Sequence, residues 1–459
     1  MNFDINLVII LAYFAMVLFN GIYAGRNVRN LDDFATGNRS YTTFFIFATL
    51  SSSFIGGGFT TGLAEKVVTY GIVYVVALWG FSIKEVLIAF YIVPRMAHFK
   101  DAISAGDIMG KLYGEKAKIF TGFASVLVCA GIAGAQFGAF GYILNVLMGI
   151  PHSQGILLAG LIVIFYSSMG GMKSVVANDT LHFVVLIVAL PLVFLLGLRH
   201  VGGLDLLLET TPVDLTHISL LHLLTLTLSF FFGETLVPPY IQRLLIGKDL
   251  AHTQRGTFYS GILSFGFFVM IGLIGVMAQK INPGVNPNLA LASVINTVMP
   301  IGLKGLAVAG MMAVIMSSAD SFLNAAAIAA SHDVIKPLTK SRSGVRELAV
   351  SRTATVGIGL LGMMFALTCE SVLDILLHSY TFWTPFILVP LVAGIMGIRR
   401  SETVFWWSAA TGVGSVFVVS HLSAFDSVKF DATLVGIALN ALVFFCFRPK
   451  IFTHSVAPR

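Results

Sequence analysis

Five oxygen-bearing side chains crowd into about two helical turns of an otherwise apolar stretch. They are Ser317, Ser318, Asp320, Ser321 and Asn324, within AVIMSSADSFLNAAA from Ala313 to Ala327. Hydroxyl and carboxylate oxygens are hard ligands, the kind that small hard cations prefer. On a helix Ser317, Ser321 and Asn324 share one face, with Asp320 beside Ser317 and Asn324. An aspartate in mid-membrane costs roughly 2.5–3.5 kcal/mol on insertion scales, which makes it a functional residue by default. Two readings are open: ligation of a cation, or polar glue between packed helices.

A second stretch, SSSFIGGGFTTG from Ser51 to Gly62, lies inside an apolar segment. Gly56, Gly57 and Gly58 each cost about 1 kcal/mol of helix propensity against alanine. Unwound backbone in a membrane is tolerated only where its carbonyls line a cavity or bind something. Broken helices of this kind bind coupling ions in secondary transporters, whereas small residues also serve close helix packing. A third stretch, YSSMGGMKSVVANDTLHF from Tyr166 to Phe183, places Asp179 at the start of a span. Asp179 either complements a helix dipole or pairs with Asp320 near the inner side of one cavity, and His182 reads as a packed or interfacial histidine in preference to a proton carrier. In the fourth, SFFFGETLVPPYIQRLL, Gly233, Glu234, Pro238 and Pro239 interrupt an apolar span. Proline removes a donor and breaks the helical ladder. Glu234 there meets a cation, a hydroxyl or a proton, or caps the broken helix. Two broken spans in corresponding positions are the sequence pointer to an inverted-repeat transporter.

The elements that must position these residues are membrane helices. The 459 residues are 57% hydrophobic and 11% charged, against about 25% charged in soluble domains. The apolar windows predict an all-α polytopic protein with about thirteen spans, centred near 15, 53, 84, 133, 161, 189, 231, 268, 316, 356, 384, 411 and 439. The first run, about Asn6 to Ala24, is too long for a signal-peptide core and lacks its basic start and cleavage site. With the N-terminus outside, 22 Lys and Arg fall on inner segments and 5 on outer ones, Lys84 being left within a span. This bias predicts a cytoplasmic C-terminus. It counts Arg243 among the inner-loop charges. Lys84 is expected to snorkel toward the cytoplasm in preference to contacting the substrate, and Lys84 and Glu85, adjacent on a helix, to point apart. Cys129, Cys369 and Cys446 form no disulfide or metal pattern. Basic residues confined to short loops make nucleic acid an unlikely partner, and HExxH, GxSxG and Cys/His clusters are missing. An enzyme is therefore disfavoured, and a channel is a remote alternative.

In family order, LDDFATGNRS, FIGGGFTTGLAE, the Tyr166–Phe183 stretch, PPYIQR, MSSADSFLNAAA and TPFILVPLVAGIMG resemble the sodium/solute symporter family of galactose, proline and choline transporters. The three glycines look most like the choline branch. The resemblance implies a single transporter domain over 1–459 with the leucine-transporter fold. An extra span and inner loop (1–40) precede two inverted five-helix repeats (about 41–200 and 220–397), whose first and sixth core helices are discontinuous, and two spans and a tail follow (400–459). It implies no cofactor beyond sodium as coupling ion. The main sodium site would comprise carbonyls of Ser52, Ile55 and Val314 and hydroxyls of Ser317 and Ser318. A second would use Asp179, Ser317, Asp320 and Ser321. Phe59, Leu78, Phe230, Gly233, Glu234, Ser264, Leu377 and Trp383 would face the solute. The sugar-binding and choline-caging side chains of relatives are replaced here, Phe54 and Val237 standing where choline-caging tryptophans fall. Neither substrate carries over. The expected function is sodium-coupled symport of a small polar organic solute, with proton coupling through Asp320, Asp179 and Glu234 as the alternative. Short loops and the lack of outer glycosylation sequons predict a bacterial inner membrane. Oligomeric state is not legible.

Overall fold

A computed structural model describes residues 5–209, 218–339, 344–368, 382–421 and 431–447. The principal helices are α1 (Ile5–Gly25), α2 (Thr43–Phe54), α3 (Gly58–Tyr70), α4 (Tyr74–Phe99), α5 (Glu115–Met148), α6 (His152–His200) and α7 (Leu220–Gly233). They continue with α8 (Pro238–Leu245), α9 (Leu250–Ile281), α10 (Leu303–Thr339), α11 (Glu347–Thr368), α12 (Thr384–Ile395), α13 (Glu402–Ser420) and α14 (Ala432–Cys446). Among the described residues the only β-type pairing is the isolated Tyr41–Gly247 bridge.

The expected thirteen spans are not confirmed. Eight helices are long and apolar enough to cross a membrane, or ten when each of two bent pairs counts as one span. The expected centres near 161 and 189 fall on one element, α6, interrupted at Gly171 with φ of 51°. The shorter α12 and α14 have fewer than 18 residues.

Both expected breaks are present. The pair α2 and α3 bends by 62° across residues 55–57, and α7 and α8 by 53° across 234–237. At the first break the ladder stops when Ile55 N–H reaches the Ser51 carbonyl at 3.2 Å. At the second, fully buried Leu236 takes φ of 53°, a left-handed conformation that stores about 1–3 kcal/mol of strain in a bulky residue.

Helix α10 is the central post. In its most apolar window 94% of residues are buried, against 28% in α1, so its polar side chains face protein. It packs on α5, α6 and α2. Close helix approach rests on small residues. A Cβ on Gly80 of α4 would lie 2.1 Å from the Thr227 carbonyl of α7. Gly80→Val should therefore lower the thermal unfolding midpoint of detergent-purified protein, by about 1–3 kcal/mol of overpacking. An unchanged midpoint would show that α4 and α7 do not meet here.

Near the end of α10, His332 Nε2 and Lys118 Nζ lie 3.0 and 2.6 Å from Asp107 Oδ1. Burial pushes the Asp107 carboxyl up, but the His332 ring and Lys118 ammonium more than reverse that and hold it well below the usual range. A depressed carboxylate contributes stability above its ordinary value of about 4, lost as pH falls through the lowered one. Asp107→Asn should thus flatten the acid limb of the melting-temperature profile.

Two charges are not where the sequence put them. Arg243 is fully buried in α8 and belongs to no surface loop. Lys84 does not snorkel: it is 1% exposed, with Nζ 3.7 Å from the Phe81 ring centre and 3.7 Å from Glu85 Oε1. Rotation of the long lysine stem brings the adjacent pair together despite their divergent Cβ directions, and the Phe81 ring face attracts the ammonium.

Candidate functional site

The end of α2 meets the middle of α10 at the first break. The Ser318 hydroxyl donates to the Ser53 carbonyl at 2.7 Å and to the Val314 carbonyl at 3.2 Å. Ser317 donates to Ser52 Oγ at 3.0 Å. Ile55 is the residue on which α2 ends. The five residues expected for a main sodium site thus gather at one crossing, with the Ser53 carbonyl as the one that Ser318 engages. Gly56 makes room for this: a Cβ there would lie 2.7 Å from Ser318 Oγ. Gly56→Ala should raise the sodium concentration for half-maximal thermal stabilisation several-fold, about 1 kcal/mol of displaced ligand. An unchanged midpoint would remove Ser318 from the site.

One turn deeper, Asp179, Ser317, Asp320 and Ser321 also come together. Asp179 accepts from Thr49, from Ser53 at 3.1 Å and from Ser317. Asp320 accepts from Tyr166 at 2.7 Å and Ser321 at 3.1 Å. Between them stands Arg243, whose Nη2 lies 3.2 Å from Asp179 Oδ2 and donates also to Ser53 and Ser321. All three charged side chains are fully buried. This one guanidinium ties the second broken helix to α2, α6 and α10. His182 is fully buried, its Nδ1 against the Tyr13 hydroxyl, the packed role expected of it.

Beside the oxygen-lined cleft lies a cavity of about 540 Å³ bounded by both helix breaks and reaching Lys66 and Tyr70. Phe59, Leu78, Phe230, Gly233 and Glu234 line it, as does Ser318. Ser264 does not: its hydroxyl is turned to Ser82 at 2.6 Å and the Gly261 carbonyl at 2.8 Å. Trp383 is also absent from the lining and fully buried, because α12 turns it into the helix packing while the next residue, Thr384, bonds the Gly233 carbonyl at 3.2 Å. Leu377 lies outside the described residues. Gln136, Thr49, Ser53 and Arg243 went unassigned in the sequence. Thr49 and Ser53 carried a signal, being one turn apart on one face. Arg243 carried one too, a charge inside a proline-broken apolar segment.

Two interrupted helices that both reach an oxygen-lined cleft beside a cavity define a secondary transporter with discontinuous core helices. The chain belongs to the sodium:solute symporter family, whose profile matches residues 34–412. It is 26% identical over 399 residues to the high-affinity choline transporter 1 of Drosophila melanogaster, covering 80% of this chain and 63% of that protein. It thus spans less than two thirds of that relative. It is 24% identical to the sodium/pantothenate symporter of Escherichia coli (strain K12), covering 95% and 94% of the two chains. Its fold is similar to that of a sodium-coupled sialic acid symporter solved substrate-bound and outward-open, with TM-score 0.85, 20% identity and 96% of each chain covered. The fold is that of the leucine transporter.

Proposed function

We propose that this protein is a membrane-embedded symporter that couples sodium entry to uptake of a small polar organic solute by alternating access. The observation that carries this reading is the Ser318 hydroxyl bridging carbonyls of the broken helix and of α10, beside the cavity. Membership of the family supports sodium over protons as the coupling ion. The surplus of Lys and Arg on one set of connections supports an outside N-terminus, even with Arg243 removed from the tally. The short loops fit a bacterial inner membrane.

A second cation belongs in the deeper cleft. With both carboxylates ionised, Asp179 and Asp320 exceed Arg243 by one negative charge in a fully buried place, and an uncompensated buried charge is strongly unfavourable. Sodium held by Asp179, Asp320, Ser317 and Ser321 neutralises it. The ion count sets the pumping limit. A tenfold sodium gradient supplies about 1.4 kcal/mol and 100 mV about 2.3 kcal/mol per charge. One ion supports about 500-fold accumulation of a neutral solute, and a second squares that limit.

The test is uptake into proteoliposomes from a panel of amino acids, sugars, amines and carboxylates, under an imposed sodium or proton gradient. Accumulation driven by sodium alone supports the proposal; accumulation driven only by protons overturns it. Asp320→Asn should lower the sodium Hill coefficient from about two to about one.

A further inference from the structure

A second cavity, of about 530 Å³ and open at the protein surface, lies between the end of α1, the middle of α6 and the first turns of α11. Its charged lining is two guanidiniums, Arg26 and Arg352, with no carboxylate among the described residues. Neither arginine is in an ion pair there. Arg26 has its Cζ 3.8 Å from the Tyr23 ring centre. Arg352 donates from Nη2 to the Met169 carbonyl at 3.2 Å, and its buried Nε has no partner. The carboxylates close in sequence are engaged by other bases: Asp33 by Lys173 at 3.7 Å, Asp32 by Arg39 at 3.0 Å and Glu347 by Lys336 at 3.0 Å. The two hydroxyls of the lining spend their hydrogens on their own helices, Ser168 on the Phe165 carbonyl and Thr353 on the Ala349 carbonyl. The donors left over are therefore guanidinium N–H groups, which suit phosphate oxygens.

Below the arginines the surface is apolar on all three helices. Ile22 and Phe19 on α1, Met169 and Phe165 on α6, and Val356 and Leu360 on α11 are exposed. Each pair is one turn or less apart along its helix, so each continues the groove as a row running into the span. Gly25 also lines the groove and brings α1 against α6: a Cβ there would lie 2.6 Å from the Gly170 Cα. The groove thus has cations at one end of three membrane helices and oily rows leading away from them. A free anion uses only the charged end. A phospholipid uses both, and basic pockets between spans select anionic headgroups. A zwitterionic headgroup brings a cation of its own, for which the lining has no carboxylate.

We propose that this groove binds an anionic phospholipid, its phosphodiester held between Arg26 and Arg352 and its acyl chains lying along the apolar rows. The site stands apart from the ion and solute cavity and depends only on the protein being embedded in a membrane.

Detergent-purified protein is titrated separately with dioleoyl phosphatidylglycerol, dioleoyl phosphatidylcholine and glycerophosphate, following thermal stabilisation. Phosphatidylglycerol should stabilise saturably, at a midpoint at least about tenfold below that of phosphatidylcholine, and glycerophosphate should not stabilise. Arg26→Gln and Arg352→Gln should each raise the phosphatidylglycerol midpoint about fivefold, and together about 25-fold. Arg26→Gln removes a ring contact and no hydrogen bond, so its lipid-free melting temperature should match wild type, which shows that the variant is folded. Lys100→Gln, at an exposed position on another connection, should leave the midpoint unchanged. Equal stabilisation by phosphatidylcholine overturns the anionic headgroup, and stabilisation by glycerophosphate replaces the lipid with a free anion. An unchanged midpoint in either arginine variant, or an equal rise in Lys100→Gln, overturns the site.

Discussion

Replacing Ser318 with alanine should raise the sodium concentration that half-maximally stabilises the protein by about 10- to 100-fold, the loss of about 1.5–3 kcal/mol expected for a ligand to a charge. Ser318 is 2% exposed, and its hydroxyl reaches two carbonyls on different helices. A cation in that crossing draws those oxygens inward together, and alanine withdraws the hydroxyl that links them. The substitution also leaves the Ser53 carbonyl without its donor, so the sodium-free protein should melt lower, and the sodium midpoint is the quantity that isolates the ion. Thermal unfolding of wild type and variant across a sodium series, at constant ionic strength with potassium, gives the result. Superimposable curves would take the ion away from this crossing.

Arg243→Met has a larger effect on stability. The guanidinium is fully buried and bonded to Thr49, Ser53, Asp179 and Ser321. Methionine leaves Asp179 and Asp320 as two buried carboxylates with no protein cation. Breaking a buried pair from one side costs about 3–5 kcal/mol. Sodium-free protein should melt well below wild type, and added sodium should recover more of that loss than the stabilisation it gives wild type. Adding Asp179→Asn to Arg243→Met should restore part of the sodium-free midpoint, because the unpaired charge is gone. A midpoint unchanged in Arg243→Met would mean that the arginine is solvated in the protein, contrary to its burial. Failure of the second substitution to restore anything would assign the loss to packing instead of charge.

Much of this arrangement was legible in the sequence because it is local. Three consecutive glycines and two consecutive prolines break helices wherever they fall, so both interruptions could be placed before any fold was known. Asp320 among serines in an apolar stretch announced a polar cleft for the same reason: nothing but function or partners repays an aspartate in a membrane. What failed was non-local. The fate of Arg243 depends on α8 turning back into the bundle, and a charge near an apolar segment's end reads equally well as a loop residue. Ser264 and Trp383 were assigned by family position, but which face of a helix meets the cavity depends on rotation about its axis. Here Ser82 captures the Ser264 hydroxyl and α12 buries Trp383. Lys84 was given the usual escape of a long side chain to the interface. The Phe81 ring and Glu85 supply partners that composition alone does not show.

Equilibrium binding of radioactive sodium to the purified protein bears most directly on the proposed sodium site, since it needs no knowledge of the solute. Wild type should bind sodium saturably, displaced by unlabelled sodium and not by potassium. The Ser317→Ala, Ser318→Ala double variant should lose the high-affinity component, while Glu234→Gln keeps it. Saturable binding that survives intact in the double variant, or no saturable binding in wild type, would contradict a cation seated where the broken helix crosses α10.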